Sequence, residues 1–284
     1  HPKLSIITLN LNGESLLNSL LRSLLVVNSF PIEEIIIVDH NSSDRSCEIV
    51  DSFSDKLPIK LIRANQNYSF SYSNNRAVEL ACGDICLFLN NDVVFEQDCL
   101  EQLISYFEQP DIGIVGLKLY EVSVNQGYEI EEKVEDFHHI GVRFKPDYQA
   151  LFYRPYNVKP SHQDSIIKDA TTSFPAVTGA FMLVRKEEFI DIGGFSEGFN
   201  YGYEDVDLCL KYHFALEKKV ISANNLYAIH ADGKTRKIAN QDTKLYRRQI
   251  NDRLIRERLG FILRNSIRNE RIDDDGSSGF GPLH

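Results

Sequence analysis

The stretch Ile85–Leu89, ICLFL, is apolar at every position and then stops at Asn90, Asn91 and Asp92. A strand without polar alternation must be buried on both faces, which is the situation inside a parallel sheet with helices above and below. The pattern recurs upstream. Lys3–Thr8 runs into Leu9 and Asn10, Glu34–Val38 runs into Asp39, and Ile59–Ile62 ends close to Asn65. Between these runs, Leu16–Val27 has leucines at helical spacing. Ile49, Val50 and Phe53 mark a second helix that Asp44 can cap, and Ser73–Ala81 reads as a third. This alternation predicts an α/β fold with a mostly parallel central sheet and helices on both faces. Asp98–Phe107, Gly113–Leu119, Ala176–Arg185 and Lys186–Ile192 extend it as helix, strand, strand and helix.

Sheets of this kind bind ligands outside the carboxyl ends of their strands. Asn10, Asp39 and the Asn90-Asn91-Asp92 run stand at those ends. Asn and Asp are ordinary turn residues, so one polar strand end says little; the repetition points to a ligand. Neither a G-x-G-x-x-G after the first strand nor a P-loop is present, which argues against NAD-dependent enzymes and P-loop kinases or ATPases. A net charge of −10 argues against nucleic acid as a partner. It suits an enzyme that carries its own carboxylates and recruits a metal to meet phosphate.

From Glu121 to Thr172 charges, aromatics and prolines mix without a clear period. The segment reads as an irregular β-rich insertion, with part of Asn157–Asp169 expected to be mobile. His138 and His139 are adjacent, so on a strand they would face opposite sides, which favours a structural role over a shared metal ion. Gly193–Lys211, GGFSEGFNYGYEDVDLCLK, then delivers Glu204, Asp205 and Asp207 into the first turn of a helix reaching about Ala215. Acidic residues complement the helix dipole there. That accounts for two of the three, but not for the glycine- and aromatic-rich run that presents them.

These pieces resemble, in order and spacing, a family 2 glycosyltransferase with the GT-A fold. The matching stretches are Thr8-Leu9-Asn10, Asp39 with HNSSD after it, NYSFSYSNN at Asn67–Asn75, LNNDV at Leu89–Val93, TGAFMLVR at Thr178–Arg185, GGF…YEDVDLCLK, and HADGKT from His230. The resemblance spans roughly Lys3 to Arg236. It implies that Asp39 binds the base or ribose of a nucleotide sugar over a floor of Thr8, Leu9 and Asn10, with Asn67 and Asn75 bordering the pocket. Asn90, Asn91 and Asp92 fall on the family's D-x-D. Asp92 and His230 would then hold a divalent cation, Mg²⁺ or Mn²⁺. Asp205 would be the catalytic base, Glu204 would help place the acceptor, and Gly179, Tyr201 and Tyr203 would line the acceptor side. Two departures stand out. Asn90 replaces the first Asp of D-x-D, as in the branch resembling rhamnosyltransferases, and Ser69 replaces a usual Gly.

The expected organisation is a catalytic domain over 1–236, with a nucleotide-binding half to about 119 and an acceptor-binding half after it. A basic helical extension over 237–272 and a flexible tail over 273–284 follow. Between Lys244 and Arg271 there are nine Lys/Arg against three Asp/Glu, and Ile255, Leu259 and Ile262 have helical spacing. Such a helix either packs on the domain with a solvated basic face, the preferred reading, or lies on an anionic membrane surface. No apolar run approaches a membrane span and no signal peptide is visible. Five scattered cysteines read as reduced, mostly buried thiols of a cytoplasmic protein. A start at His-Pro-Lys reads as part of a longer polypeptide.

The function expected from the resemblance is inverting transfer of a sugar, from dTDP-rhamnose or a UDP-sugar, to a glycan or lipid-linked acceptor. The alternative is a catalytically silent module of the same fold that binds a nucleotide sugar or glycan. A nucleotidyltransferase is disfavoured by the lack of a glycine-rich basic loop after the first strand.

Overall fold

The computed structural model describes residues 2–124, 130–147, 152–158, 169–199, 202–231 and 249–260, with backbone alone for 121–124, 130–138 and 152. The first half follows the alternation expected of it: β1 (Leu4–Asn10), α1 (Glu14–Val27), β2 (Ile32–Asp39), α2 (Ser46–Phe53), β3 (Ile59–Arg63), α3 (Phe70–Leu80) and β4 (Ile85–Leu89). Then come β5 (Val93–Val94), α4 (Leu100–Ser105), β6 (Ile112–Val124), β7 (Ile130–His139), β8 (Val142–Asp147), β9 (Phe152–Asn157) and β10 (Thr171–Ser173). The chain continues through β11 (Phe181–Arg185), α5 (Lys186–Asp191), α6 (Glu204–Ala215) and β12 (Lys219–His230). A last helical segment covers 249–260.

Among the described residues the main sheet has the order β10-β12-β6-β11-β4-β1-β2-β3. Its β4-β1-β2-β3 portion is parallel throughout, and β12 runs parallel to β6. Strand β11 lies antiparallel between β4 and β6, so the sheet is mixed. Successive side chains of each central strand enter opposite cores, which is why these strands carry no polar alternation. Ile35, Ile37 and Leu87 meet Leu17, Leu20 and Leu21 of α1 on one face. Ile36, Phe88 and Val184 meet Val78, Leu208 and Tyr212 on the other. Each fully buried aliphatic side chain contributes about 1.5–3 kcal/mol through removal from water.

Three expectations need correction. The strand expected over Ala176–Arg185 begins only at Phe181, because Ala176 is drawn off into a bridge with Val142. The insertion is β-rich but more regular than expected, with β6 and β7 paired and β8 and β9 forming a separate two-stranded sheet. Strand β12 had no counterpart in the sequence pattern. Asn224 and Asn225 interrupt its apolar run, and they fall at a register shift between Ala223 and Tyr227. His139 is 1% exposed and its Nε2 accepts from the Thr178 N–H at 3.2 Å, a structural role. Over 249–260, Ile255 and Leu259 are buried in the domain core and Arg253 and Arg256 are exposed, the packed arrangement. All five cysteines are free; Cys86, Cys99 and Cys209 are buried and Cys82 is exposed. Among the described residues no helix is long and apolar enough to cross a membrane. The rest of the basic extension and the tail lie outside the described residues.

Candidate active site

Three strand ends meet first. Parallel pairing sets Asn10 of β1 beside Asp39 of β2. Asn10 Nδ2 donates to Asp39 Oδ1 at 3.0 Å, and Asn10 Oδ1 accepts from Asn91 Nδ2 at 2.8 Å. One hydrogen-bonded chain therefore links β1, β2 and the loop after β4. Asp39 also accepts from the Ser42 N–H at 2.9 Å and from the Ser42 hydroxyl, and it is only 3% exposed. It builds the floor of this edge and scarcely projects from it. Gly13 lies against the pair: a Cβ there would come within 2.5 Å of Asn91 Nδ2 and 2.6 Å of Asn10 Oδ1. Thr8 is buried in β1, and Leu9 packs partly into the core.

Beside Asp39, His40 Nε2 bonds the Ser73 hydroxyl at 2.8 Å. Burial holds this imidazole below its ordinary pKa, partly opposed by a hydrogen bond to Asn67 and by the Asp39 charge. Asn67 thus stands against His40, next to Asp39 in the chain. Asn75 does not face this edge. Its amide accepts from the Phe195 N–H at 2.9 Å and donates to the Phe195 carbonyl and to Glu197, clamping the loop after α5.

The β4 end turns sharply. Asn90 N–H donates to the Ala180 carbonyl at 3.0 Å, and Val93 N–H closes back on Asn90. The two residues of β5 then pair with the end of β12, setting Val93 opposite His230. Ala231 N–H bonds the Asp92 carbonyl at 2.9 Å. As a result His230 Nε2 lies 3.1 Å from Asp92 Oδ1, with both residues buried. Asp92 Oδ1 makes no aligned hydrogen bond among the described residues. A buried carboxylate oxygen 3.1 Å from an imidazole nitrogen offers the mixed O and N ligands that a divalent ion can accept. Among the described residues no third His, Cys, Asp or Glu joins them, so further ligands would have to come from a bound molecule or from water.

Asp205 stands at the approach to β11. Its Oδ2 accepts from the Gly179 N–H at 2.9 Å and its Oδ1 from the Val206 N–H at 2.8 Å. Gly179 packs closely here: a Cβ would sit 3.3 Å from both Asp205 Cβ and Phe70 Cζ, and would press on the carboxylate's own side chain. The Asp205 side chain stays partly exposed, whereas Glu204 is 8% exposed and accepts from the Gly202 N–H. Glu204 thus turns back onto its own loop. Asp207 is fully buried and bonded to Ser196 and to Arg258 Nε at 2.6 Å. Tyr203 caps α6 in the left-handed conformation with φ +71. Tyr201 lies outside the described residues. Arg154, Asn251 and Arg258, which surround this loop, escaped the sequence reading. Their partners are far away in the chain, and no local pattern marks them.

Solved structures show the same architecture. A mannosyltransferase from Pyrobaculum calidifontis, in complex with GDP-Man and Mn²⁺, aligns with TM-score 0.60 at 15% identity, over 82% of this chain and 58% of that one. GalNAc-T7 with UDP, GalNAc and Mn²⁺ aligns with TM-score 0.65 at 15% identity, over 81% and 44%. The fold is GT-A, the nucleotide-diphospho-sugar transferase class. The family model for glycosyl transferase family 2 matches residues 5–189, and the chain belongs to that family. Among curated relatives, the O-antigen biosynthesis protein RfbC of Myxococcus xanthus is 28% identical over 83% of this chain and 18% of its own length. The rhamnosyltransferase WbbL of Escherichia coli is 30% identical over 52% of this chain and 55% of its own. The chain thus spans only part of the length of these relatives.

Proposed function

We propose that this chain is an inverting glycosyltransferase that moves a sugar from dTDP-rhamnose or a UDP-sugar to a hydroxyl of a glycan or lipid-linked acceptor. The observation that carries the reading is that the Asp92–His230 pair follows the end of β4, while Asp205 is bonded just ahead of β11, the strand paired with β4. Asn90 N–H donates to the Ala180 carbonyl, and Gly179, the residue before Ala180, donates its N–H to the Asp205 carboxylate. Asp92 and His230 would hold Mn²⁺ or Mg²⁺, and an ion bound there supplies Lewis-acid stabilisation to a leaving diphosphate.

The remaining work falls to the protein. Asn10, Asp39 and Asn91 form a rigid floor for the nucleoside, with Thr8, Leu9 and Asn67 around it, and Asn90 borders the diphosphate. Asp205, oriented by two amide donors, takes the proton from the acceptor hydroxyl as that oxygen attacks. A single in-line displacement needs one base and inverts the anomeric carbon. It requires no second carboxylate as nucleophile, unlike a retaining glycosidase. Gly179 and Tyr203 would border the acceptor, and Tyr201 is assigned to it by the family resemblance alone. Residues 1–119 form the donor half and 120–236 the acceptor half. The donor preference rests on LNNDV, on YEDVDLCLK and on the likeness to a protein named as a rhamnosyltransferase. A catalytically silent module would have no use for keeping all three of Asp92, His230 and Asp205.

A thermal-shift screen of nucleotide sugars with and without Mn²⁺ tests the reading, because a ligand that binds only the native state raises the melting temperature. Stabilisation by dTDP-rhamnose or a UDP-sugar is expected to need the ion, and Asp92→Ala to remove that requirement. Equal stabilisation with and without the ion in the wild type would contradict it.

A further inference from the structure

The approach to α6 is strained. Gly202 has φ +124 and Tyr203 has φ +71, two left-handed residues in succession immediately before Glu204 and Asp205. Tyr203 makes no side-chain cap bond to the helix. A non-glycine residue in this region costs about 1–2 kcal/mol and persists only where its surroundings impose it. Two groups from outside the main sheet do so. Asn251, 3% exposed in the helix over 249–260, donates from Nδ2 to the Gly202 carbonyl at 2.8 Å. Arg154 of β9 bonds the Tyr203 side chain. The same guanidinium donates from one terminal nitrogen to both oxygens of Asp252 at 3.0 Å, and from Nε to Asp147 at 3.0 Å. Arg154 therefore ties the β8–β9 hairpin, the α6 approach and the C-terminal helix at one point. The family match ends at residue 189, before any part of the α6 approach or the C-terminal helix.

We infer that Asn251 and Arg154 are positioning residues: they hold the Gly202–Tyr203 turn in its strained shape and so set the Asp205 carboxylate against Gly179 and the acceptor hydroxyl. The inference rests on the reading of Asp205 as the base. Neither side chain touches the donor edge at Asn10, Asp39 and Asp92. Relaxing the turn should therefore misplace the base without disturbing donor binding. A displacement of about 1 Å at a reacting group can cost on the order of 100-fold.

The test compares the wild type with Asn251→Ala, Arg154→Lys and Asp205→Asn, and with each brace substitution combined with Asp205→Asn. Lysine keeps the charge but lacks the planar fork that reaches Asp147, Asp252 and Tyr203 together. The brace variants are expected to lose about 10- to 100-fold in kcat, with donor KM and Mn²⁺-dependent nucleotide affinity within about twofold of wild type. In the Asp205→Asn background the same substitutions should cost almost nothing, because there is no longer a base to place. A loosened fold would instead subtract equally in both backgrounds. If Asn251→Ala does not fold, Arg154→Lys carries the test alone. Unchanged kcat in the folded brace variants, or equal losses in both backgrounds, would overturn the inference while the base assignment stands. Full turnover of Asp205→Asn itself would instead remove the reading on which the inference rests.

Discussion

At the residue scale, the site turns on which polar groups are already committed to the protein. Glu204 was expected beside the acceptor but bonds its own loop at Gly202. Glu204→Gln keeps an oxygen that can accept that bond, so kcat should stay within a fewfold of wild type. A large loss would shift the base to Glu204. Asp207 is bound to Ser196 and Arg258 and fully buried. Asp207→Asn should act on stability, lowering it by about 1–3 kcal/mol in denaturant unfolding, because it leaves Arg258 without its charge partner. Gly13 presses on the Asn10–Asn91 amide pair. Gly13→Ala should weaken donor affinity by roughly tenfold, the equivalent of about 1.4 kcal/mol, with kcat at saturating donor little changed. Titration calorimetry with the nucleotide would check this. The strand-end residues Asn10, Asp39 and Asp92 were legible in the sequence because an unbroken apolar strand shows where it must end. Arg154 and Asn251 were not, because long-range side-chain bonds leave no periodic trace. Asn75 was misplaced for a related reason: its position on α3 was readable, but its partner 120 residues away was not.

At the scale of elements, the first four strands and three helices were visible because burial on both faces forces a continuous apolar pattern. β12 was hidden by its own irregularity at Asn224 and Asn225, yet it is the element that carries His230 to Asp92 through its pairing with β5. The reversed direction of β11 was also unreadable, since an apolar strand of five residues looks the same in either sense. That reversal matters: it sets the start of β11 against the end of β4, so that Gly179 and Asn90 become neighbours. The helix over 249–260 was legible as amphipathic, but its partner was not. Its apolar side joins the buried cluster that also holds Val206 and Phe199. Ile255 is fully buried, so Ile255→Ala should cost about 2–5 kcal/mol in urea unfolding. A loss below about 0.5 kcal/mol, ordinary for a surface site, would contradict the packed position of this helix.

At the scale of the whole molecule, His40 and His213, among the described residues, link stability to pH. Burial lowers the pKa of His40 and of His213, the latter against a hydrogen bond to the Phe174 carbonyl. The unfolded chain therefore takes up protons that these side chains do not take up in the fold. Their contribution is fully present above the unfolded value of about 6.5 and is lost as pH falls through the lowered folded values. Unfolding midpoints should decline from about pH 7.5 to 5.5, and His40→Gln should flatten part of that slope. A slope unchanged in His40→Gln would show that His40 is not buried neutral. Across the molecule, one edge of a mixed sheet holds the buried Asp92–His230 pair, and the start of α6 holds the partly exposed Asp205 carboxylate. Asp205→Asn, assayed for transfer alongside nucleotide binding in Mn²⁺, tests that division most directly. Donor affinity close to wild type is expected, with kcat reduced on the order of 10²–10⁴-fold. Near-normal turnover would contradict it.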